Sequence, residues 1–572
     1  MRKGRSCWKM FEDVQAAVDD GLTWPDLIQL SKCCHNGKYP NNAQRDVMCK
    51  LKKLLGCKIT PLPVVVQRYV KSSGKVRDAV LNVVLPHEVY AVMSEYELQF
   101  TNLFGSSTDW SAFWNAVSNE QWFLDHPLRA WVVANPLKAT PYFIHCDDAP
   151  VSRRVGRSIR ALSCYSPCAI TRDSLDGRIA LATWALHEQL VEHVDDRAKR
   201  VLSWSFRACA FGEVPIEGPE GVPLDKVRLA QAGSVLTRDG RRMIYAGSSG
   251  DLAYFAQDFQ FPHFYNADQI CMKCFAMQFG RFNFADSRLD AEWSRTSRPL
   301  SDYVEYILDE GLELNPLCYI PGWHPHNVYE DVTHCDGLGW RQGLNGGALI
   351  LMCEMGVWGP PAASGSWRDR LDLQLASAWR DFNRFLSEEK MQASQPVFRS
   401  LTLSLKKRTN FPVLKSKSKN CVTVSLWLEK RLRRFIPGDE VVSHLYASLW
   451  GATNIWTLIH DMRPRFVLTD SEASFLNVAR ESALHNYYWL HVHFAELGRS
   501  MFNMTPKFHE CDHMLRRACQ TRLSFALVWT FASEDFMGRM AKLSAGGHGA
   551  TVNSVPLHKW LLYFWSVHFP CR

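Results

Sequence analysis

Several clusters in this chain have the residue types and spacing to hold metal ions. The last of them is the acidic pair in Phe531-Ala532-Ser533-Glu534-Asp535-Phe536, preceded by the histidine pair of Pro506-Lys507-Phe508-His509-Glu510-Cys511-Asp512-His513. Far earlier, Gly250-Asp251-Leu252 is followed by Cys271-Met272-Lys273-Cys274. One acid thus lies 21 residues after a ligand pair and another lies 20 residues before one, and the two half-sites are expected to meet in space. On a helix, the spacing of His509 and His513 puts both imidazoles on one face, as two ligands of a tetrahedral metal require. Two thiolates and two imidazoles would complete a closed structural Zn²⁺ site. Each pair alone is a cheap signal, because eighteen cysteines and twenty histidines produce C-x-x-C and H-x-x-x-H by chance.

A further acid, Asp147, closes the run Pro141-Tyr142-Phe143-Ile144-His145-Cys146-Asp147, with Asp148 directly behind it. A carboxylate at a strand end is held by sheet hydrogen bonds while its oxygens face an open edge. Taken locally, an acidic turn helped by Pro150 explains Asp147 as well. In the same way, a helix N-cap explains Asp251.

The elements that must position these groups follow from apolar periodicity. Strands are expected over 141–148, near 159–165 and over 242–247, with Arg153, Arg154, Arg157 and Arg160 close to the first acid. Helices are expected over 180–193, with Leu181, Trp184, Ala185, Leu186 and Leu190 inward, and over 252–259. Residues 212–240, rich in Gly, Pro and charge, form a surface loop or inserted hairpin. Before them, 110–131 reads as helical, with Trp110, Phe113, Trp114, Val117 and Trp122 as a core stripe. The first sixty residues are basic, and Cys33, Cys34, His35, Cys49 and Cys57 match no regular zinc-finger spacing, so solvated helices are the plainer reading. Between Cys274 and His509 the stretches 302–312, 367–389, 441–460 and 472–501 show helical spacing, too patterned for one long loop.

A chain of 572 residues exceeds what one small core needs. Its 47% hydrophobic and 22% charged residues are those of a folded globular protein. It has no run of about eighteen apolar residues and no apolar stretch after Met1-Arg2-Lys3-Gly4-Arg5, so a soluble, intracellular, non-secreted protein without a membrane partner is expected. The net charge of +8 is concentrated in Lys406-Lys407-Arg408, Lys415, Lys417, Lys419 and Lys430-Arg431-Leu432-Arg433-Arg434. Such a face either neutralises phosphates or is merely solvated.

The order strand-end Asp, strand-end Asp, C-x-x-C, long insertion, H-x-x-x-H and final Glu resembles cut-and-paste DNA transposases with an insertion-bearing RNase H-like core. The similar groups are the hAT and KDZ types and, distantly, the V(D)J recombinase. Asp331-Val332-Thr333-His334 is similar to a D-x-x-H element of KDZ and CACTA transposases, which adds Asp331 and His334 as site candidates. The resemblance spans about residues 141–572. It implies an α/β fold: an RNase H-like mixed sheet core interrupted by a large, mainly α-helical insertion, with a small N-terminal domain. The boundaries expected are 1–135 for a mixed N-terminal region that can bind DNA, 136–275 for the first part of the core, 276–505 for the insertion and 506–572 for the core-completing segment.

The resemblance further implies that Asp147, Asp251 and Glu534 form an Asp/Asp/Glu triad holding catalytic Mg²⁺ or Mn²⁺, with Zn²⁺ on Cys271, Cys274, His509 and His513. Asp148 and Asp535 remain alternatives to their neighbours. Hard divalent cations prefer oxygen ligands, and two of them about 3.5–4 Å apart activate a water or 3′ hydroxyl and stabilise the leaving oxygen. Double-stranded DNA at transposon ends, a homo-oligomeric assembly and a nuclear location follow from that activity. The alternative is a domesticated or decayed relative that binds DNA or a partner without cutting. Trp323 or Trp340 is a candidate to stack on an extruded base, with core packing as the plainer role.

Overall fold

The computed structural model describes the chain except residues 1–6, 22, 37, 39–42, 71–73, 153–156, 172, 186–193, 262–267, 361–363, 392–399, 405–409, 436–437, 462–464, 545–553 and 570–572. Arg153, Arg154 and the Lys406-Lys407-Arg408 run therefore lie outside the described residues, as does the side chain of Arg157. The chain forms a mixed α/β structure.

Its sheet contains β1 (Leu62–Val70), β2 (Lys75–Val83), β3 (Ala139–Ser152), β4 (Arg157–Tyr165), β5 (Ile179–Ala185), β6 (Arg242–Gly250) and β7 (Val328–Glu330). They lie in the order β1-β2-β5-β4-β3-β6-β7. Neighbours from β1 through to β3 are antiparallel, whereas β3, β6 and β7 run parallel. Parallel strands need crossovers, and the helix Val194–Phe211 supplies one between β5 and β6. It covers one face of the sheet, where Phe206 stacks on Tyr142 with ring centroids 4.6 Å apart. The helix Phe531–Ser544 lies across β3 and β4, and Val555–His568 across β5.

The helix expected over 180–193 is instead strand β5 in its described part. Every residue of Ile179–Ala185 is buried, and an apolar run covered on both faces carries no period that separates strand from helix. The helical stretch 110–131 is broken into Ser107–Ala116, Gln121–Leu124 and Arg129–Ala134. Its aromatics are core as expected: Trp114 Nε1 donates to Ala139 O at 2.7 Å, and Phe113 meets Phe143 edge-on.

A layer of helices follows, comprising Arg341–Glu354, Trp367–Glu388, Ser418–Leu432, Glu440–Asp461, Asp470–Glu496 and Pro506–Thr521. Capping boxes start two of them, Ser366 with Asp369 and Thr469 with Glu472. Glu440–Asp461 and Asp470–Glu496 cross at small residues. A Cβ on Gly451 would stand 2.3 Å from Ala479 O, and Ser448 Oγ donates to Ala483 O at 2.8 Å. The stretch 276–505 also gives β7 to the sheet, and one continuous apolar cluster runs from Ile59 through sheet and helices to Trp565. Near the N-terminus, Phe11, Leu30, Cys33, Cys34 and Val47 make a small core of their own. No described helix is long and apolar enough to cross a membrane.

Candidate functional site

Side chains alternate along a strand, so Asp147 and Asp148 leave β3 on opposite faces. Asp148 pairs with Arg160, Nε–Oδ1 2.7 Å and Nη2–Oδ2 3.1 Å. Asp147 shares its face with His145, which is opposite Ser249 in the parallel register with β6. Asp147 lies two residues further along β3 and Asp251 just past the end of β6, near enough for their charges to interact. Burial is the main reason the Asp147 carboxyl rises from 3.8 to about 7, and the negative charge of Asp251 adds to it. Asp251 caps the helix Leu252–Asp258 by accepting from Tyr254 N at 2.6 Å. Gly250 makes that turn possible, since a Cβ there would lie 2.6 Å from the Tyr254 ring.

Glu534 sits in the first turn of Phe531–Ser544, with Oε1 4.0 Å from His334 Nε2. Burial raises its pKa and the nearby charge of His334 works against that rise. Asp535 turns elsewhere: Ser174 Oγ donates to it at 2.5 Å and Arg539 pairs with it at 2.9 Å. The doubled acids are thereby sorted, with Asp147 and Glu534 on the side of Asp251 and His334.

The chain leaves β7 through Asp331 into a π-helical turn, Thr333–Trp340, a wide geometry that recurs at functional sites. Asp331 is fully buried yet saturated with donors. It accepts from Thr333 N at 3.0 Å, Thr530 N at 3.2 Å, Thr530 Oγ1 at 2.5 Å and His334 Nδ1 at 2.6 Å. Burial disfavours a charge on His334, but Asp331 and the carboxylates of Asp251 and Glu534 outweigh it and raise its pKa. Asp331 and His334 thus join the group that Asp147, Asp251 and Glu534 form. Thr530 was not foreseen, because no local pattern marks a partner 199 residues from Asp331.

Cys271, Cys274 and His509 converge, with their ligand atoms all within 4.8 Å of one another and all three buried. Lys273 N donates to Cys271 Sγ at 3.4 Å, and Cys274 Sγ lies 3.4 Å from His509 Nε2. Burial, reinforced by Cys274, holds the Cys271 thiol well above the usual range. His509 Nδ1 is buried without a hydrogen-bond partner. Two sulfurs and an imidazole nitrogen are a donor set that fits Zn²⁺. His513, one turn on, is not part of that close trio. Its ring lies 5.7 Å from that of His509 and stacks on Trp293 at 5.8 Å. The Cys pair is tied to the sheet by a buried ion pair between Lys273 and Glu330, the last residue of β7.

Among the described residues this trio is the one group of three donors drawn that close, so Asp147, Asp251 and Glu534 are spaced more widely than donors to a single ion. N-terminal Cys33, Cys34, Cys49 and Cys57 form no such group among the described residues. Trp323 and Trp340 are buried, the first against Phe259 and Tyr303, the second against Tyr487 and Phe508, so both pack rather than present a face to a base. The basic runs divide. Lys430, Arg431 and Arg433 pair with Glu389, Asp381 and Glu429. Lys415, Lys417 and Lys419 are exposed, and the charge of Lys417 reaches Glu534. Neither the protein-family models nor the curated proteins contain a match to this chain.

Proposed function

We propose that this chain is a transposon-derived DNA transposase that cuts and joins phosphodiesters with Asp147, Asp251 and Glu534. The observation that carries the reading is the parallel β3/β6 register, which brings Asp147 beside Asp251, with Glu534 facing His334 from the helix across β3 and β4. The run β5-β4-β3-β6-β7, three antiparallel strands continued by two parallel ones, supports an RNase H-like core, with β1 and β2 extending its edge. The helices of 276–505 then form the insertion, and the Cys/His group clips its two ends to the core.

The three carboxylates would hold Mg²⁺ or Mn²⁺, Asp147 serving two ions and the other acids one each. When bound, such ions activate the attacking oxygen and stabilise the leaving one. Lys415, Lys417 and Lys419 would fix the DNA backbone beside the acids by neutralising phosphates. Cys271, Cys274 and His509 would hold Zn²⁺, with His513 reaching the fourth position from the same helix face. The substrate would be double-stranded DNA at element ends, engaged by a homo-oligomer in the nucleus.

The test is cleavage of plasmids carrying candidate terminal repeats, with Mg²⁺ or Mn²⁺. Wild-type protein should nick them, and Asp147→Ala should lower the rate by at least about a hundredfold, the scale on which removal of a charge-stabilising group acts. Equal cleavage by both proteins removes the assignment. A second reading is a non-cutting DNA-binding descendant, which requires no ion at the three acids. It predicts salt-sensitive DNA binding with no cleavage under either metal.

A further inference from the structure

His334 stands between two carboxylates, Asp331 at Nδ1 and Glu534 at Nε2. Asp331 is buried and already accepts from Thr333 N, Thr530 N and Thr530 Oγ1, so it acts as an acceptor and the proton between it and His334 sits on Nδ1. That fixes the imidazole plane and leaves Nε2 as the atom directed toward the acids, 4.0 Å from Glu534 Oε1. Adjacent ligands of one ion with bonds of about 2.1 Å stand about 3 Å apart, so a closing movement of about 1 Å by the half-buried Glu534 side chain lets one ion take both atoms. A carboxylate on the far nitrogen of a metal-bound histidine is the usual way proteins orient that ligand and raise its basicity. Thr530 lies one residue before the helix that carries Glu534, so a single carboxylate places both donors.

We infer that His334 is itself a ligand of the ion held by Glu534, so that one of the two metal positions has mixed nitrogen and oxygen coordination and selects Mn²⁺ over Mg²⁺. The selectivity is relative: Mn²⁺ shares the preference of Mg²⁺ for carboxylates but, as the first member of the transition series, accepts an imidazole nitrogen more readily than Mg²⁺, which holds to oxygen donors and water. The inference rests on the reading of Asp147, Asp251 and Glu534 as a divalent-cation site.

The experiment uses the full chain, given one equivalent of Zn²⁺ to fill the tighter Cys/His group, freed of excess Zn²⁺, and then titrated with Mn²⁺ without DNA. Pulsed electron paramagnetic resonance reads nitrogen directly bound to the Mn²⁺, and calorimetry reads affinity. Wild-type protein should show a histidine nitrogen coupling that changes when histidine is isotopically labelled, a readout that needs no variant to fold. His334→Gln should lose the coupling and the preference for Mn²⁺ over Mg²⁺, and Asp331→Asn should weaken Mn²⁺ binding by about tenfold or more. Mn²⁺ that binds in an Asp147-dependent way but shows no nitrogen coupling overturns the inference and leaves the acid site standing. Mn²⁺ binding that is absent, or unchanged in Asp147→Asn, overturns both.

Discussion

Asp147 shows how far position changes a side chain. Its carboxyl ordinarily titrates at 3.8 and here at about 7, because it is mostly buried, lies beside Asp251 and Asp148, and gets only partial relief from Asp148 N and His334. Between those two values the folded protein holds a proton that the unfolded chain has released. The contribution of Asp147 to the stability of the protein free of Mg²⁺ and Mn²⁺ should therefore fall as pH rises from about 4 to about 7 and level off above that, against the opposite trend of the buried histidines. Asp147→Asn should flatten this slope and raise stability at pH 7 by on the order of 1–3 kcal/mol, read from melting curves across pH. A steeper slope in the variant would contradict the account. Asp147, Asp251 and Glu534 were legible because each ends a patterned run or starts one. The choice between Asp147 and Asp148 was not, since alternation gives faces but not which face holds the partners. In the fold Arg160 pairs with Asp148, and Asp147 is the one on which the charge of Asp251 acts.

At the scale of elements, the Cys271/Cys274 turn and the helix Pro506–Thr521 meet through atoms 235 residues apart in sequence. Cys274→Ser should reduce bound zinc and lower the melting temperature, and His513→Ala should leave a weaker three-donor site. Metal analysis of purified protein reads both, and unchanged zinc in Cys274→Ser would exclude the ligand set. The crossing at Gly451 has no room for a side chain, so Gly451→Leu should destabilise by about 1–3 kcal/mol or more, seen as a lower denaturant midpoint. Strands β3, β4 and β6 and the long helices could be read from periodicity. Strand β5 could not, because burial on both faces erases the alternation that marks a strand. Strand β7 was missed for another reason: three residues are too few to show any pattern.

Over the whole molecule, sheet and helical layer share one apolar cluster, so the helices are not a separate appendage. Sequence pattern gave the mainly helical character of 276–505 but not its share in the sheet, because β7 is recognisable only once β6 is there to pair with it. Of the exposed lysines, Lys417 lies near enough to Glu534 for its charge to act there, whereas Lys430, Arg431 and Arg433 of the later run pair with carboxylates. On the proposed function, replacing Lys415, Lys417 and Lys419 by Ala should reduce the salt dependence of DNA binding by a log–log slope of about 3 at most, close to one per lost phosphate contact. An unchanged slope would place the DNA elsewhere. Asp331 belongs to this scale as well, because it fastens the end of β7 to the start of the Glu534 helix through Thr530. The joint is like a rivet through two plates: lifting the helix off the sheet would break the Thr530 bonds to Asp331 and draw the glutamate away from the imidazole that Asp331 holds.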